Sequence, residues 1–379
     1  MALKVIFFVA GVVLTLQVIT TFAAPNFIPS EQSKLDDWID HNMRAYEKDK
    51  TDLSETVINN KFTLDKVLTA AEHAVKVMKV SQDGKGDFKT ITDAVKSIPS
   101  GNTGRVIVWI SGGVYREHIM VDRSKPFVTF YGDEANVPVI TFDGTAEKFG
   151  TWNSATVAVE SDYFVAANIA FVNSSPMPKG KLNGEQAVAL RISGDKAAFH
   201  NCKFIGFQDT LCDDKGRHFF RDCYIEGTVD FIFGNGQTLY LNTTIRSVAK
   251  LTGVITAQGR DKVSEGSGFT FVHCKIIADG DTYLGRAWKD MPRVIFAYTY
   301  MGTHINVNGW SNGMWPIQAE GNNNKDVFYG EYKCMGPGAS TSGRVKYAKI
   351  LTDEQIKPFM SMTFIQGNKW LIQPPNLKR

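Results

Sequence analysis

Net charge of either sign is nearly missing from this chain: 42 lysines and arginines stand against 39 aspartates and glutamates over 379 residues, leaving +3. That balance is too small to argue for a nucleic-acid partner, and no basic run is interleaved with aromatic residues. At most it mildly favours a polyanion. Phosphate-binding loops are missing as well. Gln82 to Phe88 is glycine-rich and precedes the amphipathic stretch Ile91 to Ile98, but it has neither a Gly-Lys-Ser/Thr ending nor GxGxxG spacing and reads as a turn. There is no acidic cluster of the calcium-loop type. Cysteine is sparse and odd in number: residues 202, 212, 223, 274 and 334 allow at most two disulfides and leave one thiol over.

The one long apolar run sits at the N-terminus. A lysine near the start, apolar residues from Val5 to Leu16 and small residues around Ala23 read as a secretory signal over 1–23, cut after Ala23. Gln17 and the threonines after it weaken the alternative, a membrane anchor. With 43% hydrophobic and 21% charged residues, the remainder is a soluble globular chain, expected to be secreted, unattached to membrane and monomeric.

Residues 24–79 read as a tail followed by a helix, with Leu64, Val67, Leu68, Ala71, Val75 and Met78 at helical spacing after Thr63 as N-cap. From residue 80 to 379 short β-rich runs are broken by Gly, Asp and Asn: Arg105 to Ile110, His118 to Val121, Phe127 to Tyr131, Val139 to Phe142, Thr156 to Val159 and Tyr163 to Phe171. No long helical pattern interrupts them, so the fold class is all-β.

A repeat then emerges. Asn168-Ile169-Ala170-Phe171, Asn201-Cys202-Lys203-Phe204, Asp222-Cys223-Tyr224-Ile225, Asn242-Thr243-Thr244-Ile245, His273-Cys274-Lys275-Ile276 and Tyr298-Thr299-Tyr300-Met301 share one register. The steps between their second positions are 33, 21, 20, 31 and 25 residues, and Cys or Thr recurs there in all but the first. Coils of about 20 residues with insertions on one side are the sequence form of a right-handed parallel β-helix. A β-sandwich also gives many short strands but leaves the recurring Cys or Thr unexplained. The spacing of Cys202 and Cys223 suits either a bridge between coils or a ladder of small buried side chains. Two sequons, at Asn173 and Asn242, are chemically possible glycosylation sites.

Asp209 lies 7 residues after Cys202, and Asp230 lies 7 after Cys223. On successive coils the two carboxylates stack at about 4.8 Å and cannot ionise equally, which gives a general acid and a nucleophile or base at one spot. Solenoids bind along the face where loops leave the coil, here Asn173 to Gln186 and Ala278 to Pro292. Gln186 and Gln208 are placed to donate to an oxyanion. Arg286 can clamp a carboxylate. Trp288 offers a flat apolar surface, yet Trp288, Trp310, Tyr283, Phe207, Phe231 and Phe233 each read individually as packing before subsites. Asp213 and Asp214 read as a solvated turn, yet they keep a glycosidase in play.

The segments GVYRE (113–117), QAVALR (186–191), QDTL (208–211), GTVDFIFG (227–234), LGRAW (284–288) and GPGASTSGRV (336–345) resemble, in order, the signature segments of plant pectin methylesterases. The resemblance runs from Val80 to the C-terminus. It implies a β-helix that removes methyl groups from methylesterified galacturonan in the plant cell wall, with no metal or organic cofactor. It implies Asp230 as nucleophile, Asp209 as general acid and then base, Gln186 and Gln208 as oxyanion donors and Arg286 as the residue that orients Asp230. Substrate contacts would come from Trp288, Phe233, Tyr283 and Trp310, and a proteinaceous pectinesterase inhibitor is a candidate partner. Ala287 and Cys212 depart from the usual LGRPW and from the tyrosine after QDTL, and GWSNGMW (309–315) departs in spacing; together they resemble the pollen-associated branch, and a surface-recognised solenoid, a pollen allergen included, is a candidate second role. The residues between Ala24 and Val80 are too few for the inhibitor-like helical bundle found in many members. Rival readings are a β-helix polygalacturonan hydrolase or lyase and a non-catalytic wall-binding solenoid.

Overall fold

The computed structural model describes residues 27–43, 64–180, 184–311, 326–375 and 377; the expected signal at 1–23 and the expected cap Thr63 lie outside them. Among the described residues, strands form parallel sheets of eleven, eight and seven strands. One coil shows the cycle. Val157–Val159 lies in the seven-stranded sheet, Val165–Ala167 in the eleven-stranded, Ala170–Asn173 in the eight-stranded, and Leu190–Ile192 returns beside Val157–Val159. The chain is a right-handed parallel β-helix.

The repeat has a conformational cause. The first residue of each of its six segments, Asn168, Asn201, Asp222, Asn242, His273 and Tyr298, has φ between 48° and 58°, and Lys333 at 47° adds a seventh. The first six turn the chain from the eleven-stranded into the eight-stranded sheet, in a left-handed conformation that Asn and Asp tolerate best. The next residue seals the corner. Cys202 Sγ donates to the His200 carbonyl (3.3 Å), Thr243 Oγ1 to Leu241 (3.2 Å), Cys274 Sγ to Val272 (3.5 Å) and Thr299 Oγ1 to Ala297 (3.1 Å). A small donor therefore recurs there from Cys202 onward, Ile169 filling the first place with an apolar side chain, and all five cysteines are free thiols.

Inside the coil the aromatics form their own ladder. Phe199, Phe220, Tyr240, Phe271 and Phe296 stack at 4.5, 4.8, 4.4 and 4.7 Å between centroids, the spacing of the strands that carry them. A second apolar layer covers the outside of the eleven-stranded sheet, where Ile28, Leu35 and Trp38 from the N-terminal arm join Met360, Ile365 and Trp370 from the C-terminal tail.

Three local expectations change. The helix expected through Met78 spans only Lys66–His73, and Lys76–Val80 is a strand paired with Val106–Ile110. Met78 is buried as an inward strand residue, so its fit to the helical period is coincidental. The run Tyr163 to Phe171 is two strands, broken at the Asn168 corner. Ala278 to Pro292 is no excursion, because Asp281–Ala287 is a regular rung of the seven-stranded sheet. The sequons also separate. Asn173 is buried and its amide donates to the carbonyls of Gly144, Ser154 and Val188, whereas Asn242 is exposed.

Candidate active site

The outer face of the seven-stranded sheet is the floor of the site. Parallel register aligns one residue from each strand: Met120, Ala158, Arg191, Cys212, Phe233, Ala257 and Arg286. Asp209 and Asp230 occupy equivalent places three residues before Cys212 and Phe233. Continuing the pairing Leu211 to Ile232 backwards sets them on adjacent rungs, and the Asp209 amide donates to the Val229 carbonyl (3.1 Å). Both are left-handed, at φ 64° and 51°. At Asp230 the register with the next strand slips between Val229 and Ile232, a bulge that turns the side chain onto the outer face.

Arg286 holds Asp230 from two rungs away. Its Nε donates to both carboxylate oxygens (2.8 and 3.0 Å) and its Nη2 to Oδ2 (2.6 Å). The side chains are 20% and 9% exposed, so the pair works in a partly dry site. Asp209 is also buried. Its burial, and then the neighbouring Asp230 carboxylate, push its carboxyl well above the ordinary range, with Arg286 opposing. One carboxyl disposed to keep a proton thus lies beside one gripped on both oxygens by a guanidinium. On the rung before, the Ala187 amide donates to the Gln208 carbonyl (3.1 Å), which aligns Gln186 and Gln208 along the rim that carries Asp209. The Gln186 side-chain oxygen accepts from the Gly184 amide (2.9 Å), which turns its NH2 into the end free to donate.

Of the proposed substrate contacts, Phe233 and Trp288 meet edge to face at 5.9 Å on the outer row, with Trp288 half-buried. Tyr283 lies on the same strand as Arg286 and is 8% exposed. Trp310 is a correction. It has no exposed surface and stacks on Tyr329 at 4.1 Å within the core. It packs beneath Gly285, where a Cβ would lie 2.1 Å from Thr256 Oγ1 and 3.2 Å from the indole, so it supports the Arg286 strand from inside and cannot touch a sugar.

Asp213 is the second correction. It alternates with Leu211 on the inner face and is fully buried, so it is neither a solvated turn nor one of two carboxylates flanking a sugar. Its Oδ1 meets His218 Nδ1 (2.5 Å) and its Oδ2 accepts from Tyr240 (2.6 Å), while His218 Nε2 faces the Gly194 carbonyl (2.9 Å). Both imidazole nitrogens face acceptors, so the ring carries both protons. Burial lowers the His218 pKa, but Asp213 and the carbonyl outweigh it and the net shift is upward.

Sequence reasoning missed Trp152 and Arg191. Trp152 is 44% exposed on the helix Ala146–Asn153, which is tied to the glutamine rim by Ala146 N to Gln186 O (2.8 Å) and Glu147 N to Gly184 O (3.0 Å). Its ring lies 5.7 Å from the guanidinium carbon of Arg191. Arg191 stood inside QAVALR, but its partner is 39 residues upstream and no local signal joins them.

Comparison with known proteins gives one answer. The family model described as pectinesterase matches residues 77–368. Pectinesterase 63 of Arabidopsis thaliana is 53% identical over 298 residues, covering 78% of this chain and 87% of the relative. Pectinesterase 2 of Olea europaea is 45% identical over 349 residues, covering 92% of this chain and 91% of the relative. Among solved structures, the pectin methylesterase from carrot superposes with a TM-score of 0.71 at 34% identity, covering 78% of this chain and 94% of that one.

Proposed function

This chain belongs to the pectinesterase family and removes methyl esters from pectin, and we propose that Asp230, Asp209, Gln186, Gln208 and Arg286 carry the reaction. The ionised carboxylate of Asp230, aimed by Arg286, attacks the ester carbonyl of a methylated galacturonate. The amides of Gln186 and Gln208 donate to the oxyanion that forms. As the tetrahedral species collapses, the C–OCH3 bond breaks and Asp209 gives its proton to the departing methoxide, releasing methanol and leaving an anhydride between substrate and Asp230. Asp209, now ionised, takes a proton from water. The hydroxide opens the anhydride and regenerates Asp230 together with a free galacturonate, and Asp209 is again protonated for the next cycle.

The observation that carries this assignment is the two-oxygen clamp of Arg286 on Asp230 beside a carboxyl whose burial and anionic neighbour favour its protonated form. A nucleophile and an acid on adjacent rungs need opposite protonation states, and this arrangement supplies them. Phe233 and Trp288 are proposed to flank the polymer. We also propose that the enzyme meets its substrate in the plant cell wall, with residues 1–23 directing secretion, which N-terminal sequencing of the secreted chain at Ala24 tests.

The test is methanol release from highly methylesterified pectin by the chain beginning at Ala24, with the same samples sized and scanned for unsaturated ends. Methanol without shortening is expected. Shortening or unsaturated ends without methanol would assign the fold to glycosidic cleavage and overturn the reading.

A further inference from the structure

Arg191 is the second cation in the outer row of the sheet, two rungs from the strand of Asp230 and so about 10 Å from it at the usual strand spacing. Its side chain is only 8% exposed. Nη1 and Nη2 donate to a single oxygen of Glu160 (3.2 and 3.1 Å), Nη1 also donates to Ser193 Oγ (2.9 Å), and the buried Nε has no hydrogen-bond partner. A guanidinium this deep, with one donor unspent, is costly unless something else stabilises its charge. The face of Trp152, 5.7 Å away, does so as a cation–π partner. The arrangement is unsuited to binding a carboxylate directly, since the forked nitrogens are already engaged and the group is closed to solvent. It is suited to fixing an indole. Gly150, at φ 72° and ψ 156°, breaks the helix Ala146–Asn153 just before Trp152, so the helix alone does not set the ring's direction.

We propose that Arg191 is a positioning residue for pectin binding: held by Glu160 and Ser193, it keeps the indole of Trp152 upright at the cleft wall so that the indole's exposed face stacks on a sugar of the polymer. This rests on the pectinesterase reading above. Arg191 touches neither the ester nor the carboxylates, so its effect falls on capture of the chain and not on turnover of the bound ester. An amphipathic aromatic surface pays little entropy for such contact when its rotamer is already fixed.

Steady-state methanol release from pectin tests this with R191M, R191K, W152A and the double variant R191M/W152A. R191M should raise KM about tenfold with kcat within about twofold. R191K keeps a cation under the ring and should recover at least half of that effect on a logarithmic scale. W152A should raise KM comparably, and the double variant should be no worse than either single one. A fall in kcat at constant KM would overturn the proposal, as would an R191M effect that persists in full in the W152A background. Glu160→Gln serves where R191M fails to fold: it should raise KM about threefold, and an unchanged KM would count against the proposal. Because wild type is measured alongside, absence of methanol from wild type refutes the functional reading itself. An active enzyme indifferent to W152A refutes only the role of Arg191.

Discussion

Replacing Arg286 with lysine isolates the geometry of the clamp from its charge. The guanidinium makes three contacts with the two oxygens of Asp230, and Nε and Nη2 together fix the plane of the carboxylate. An ammonium is a point charge that keeps the sign but reaches one oxygen well. The loss is about one hydrogen bond to a charged group, ~1.5–3 kcal/mol. If it is felt wholly in the attack step, kcat falls about 10- to 150-fold at ~1.4 kcal/mol per decade. Arg286→Ala goes further, because it leaves a carboxylate that is 9% exposed without its partner. Breaking a buried pair in this way costs ~3–5 kcal/mol, or about two to three and a half decades. The assay is methanol release across pH, with circular dichroism to confirm folding. Near-wild-type kcat in Arg286→Lys, or a loss in Arg286→Ala confined to KM, would refute the argument that Arg286 aims the nucleophile.

Asp209→Asn should nearly abolish turnover yet stabilise the fold at neutral pH. The folded carboxyl titrates above its unfolded value, so the wild-type group favours folding most below about pH 4 and loses that contribution as pH rises through the folded value. The unfolding midpoint of Asp209→Asn should therefore match wild type near pH 4 and exceed it at pH 7; a gap that widens toward acid would contradict the cause given. His218 is also raised, so its contribution is complete below about pH 6.5 and fades as pH climbs through the folded value. His218→Gln should cost about 3–5 kcal/mol at pH 6 by stranding Asp213, and less at pH 9; equal cost at both would mean a neutral ring. Trp310→Phe should lower stability by about 1–3 kcal/mol while leaving KM for pectin unchanged, and a raised KM would return Trp310 to the cleft.

What could be read from the chain follows from which constraints repeat. From Asn201 to Tyr298, each corner between the eleven- and eight-stranded sheets pairs a left-handed residue with a small donor to the carbonyl two residues back, so the pattern is written out coil by coil, while Asn168 keeps the left-handed residue but is followed by Ile169. Lys333-Cys334 obeys the same rule, but lysine in the first place and a 35-residue step from Thr299 hide it. Residue type alone does not tell inside from outside. Trp288 and Trp310 look equivalent as letters, and only the Gly285 rung beneath Arg286 puts one in the cleft and the other in the core. Asp213 needed its alternation with Leu211 to be noticed, and the Arg191–Trp152 pair joins residues that no local period connects.

The pair proposed for catalysis uses the same left-handed backbone as the corners. Asp209 and Asp230 sit in left-handed positions at the start of successive rungs of the seven-stranded sheet, where a short polar side chain is the least strained non-glycine choice, and at Asp230 a bulge points it outward. The same backbone decides how the nucleophile can be tested. Asparagine keeps tolerance of the left-handed region and the side chain's size, so Asp230→Asn removes the attacking charge and leaves the corner intact. Alanine removes both, and L-residues outside the Asn/Asp class pay about 1–2 kcal/mol at such positions. Asp230→Ala should therefore be the less stable of the two inactive variants by about 1 kcal/mol in denaturant unfolding. Equal stability would mean that the left-handed turn at Asp230 costs alanine nothing, and that the aspartate there answers to chemistry alone.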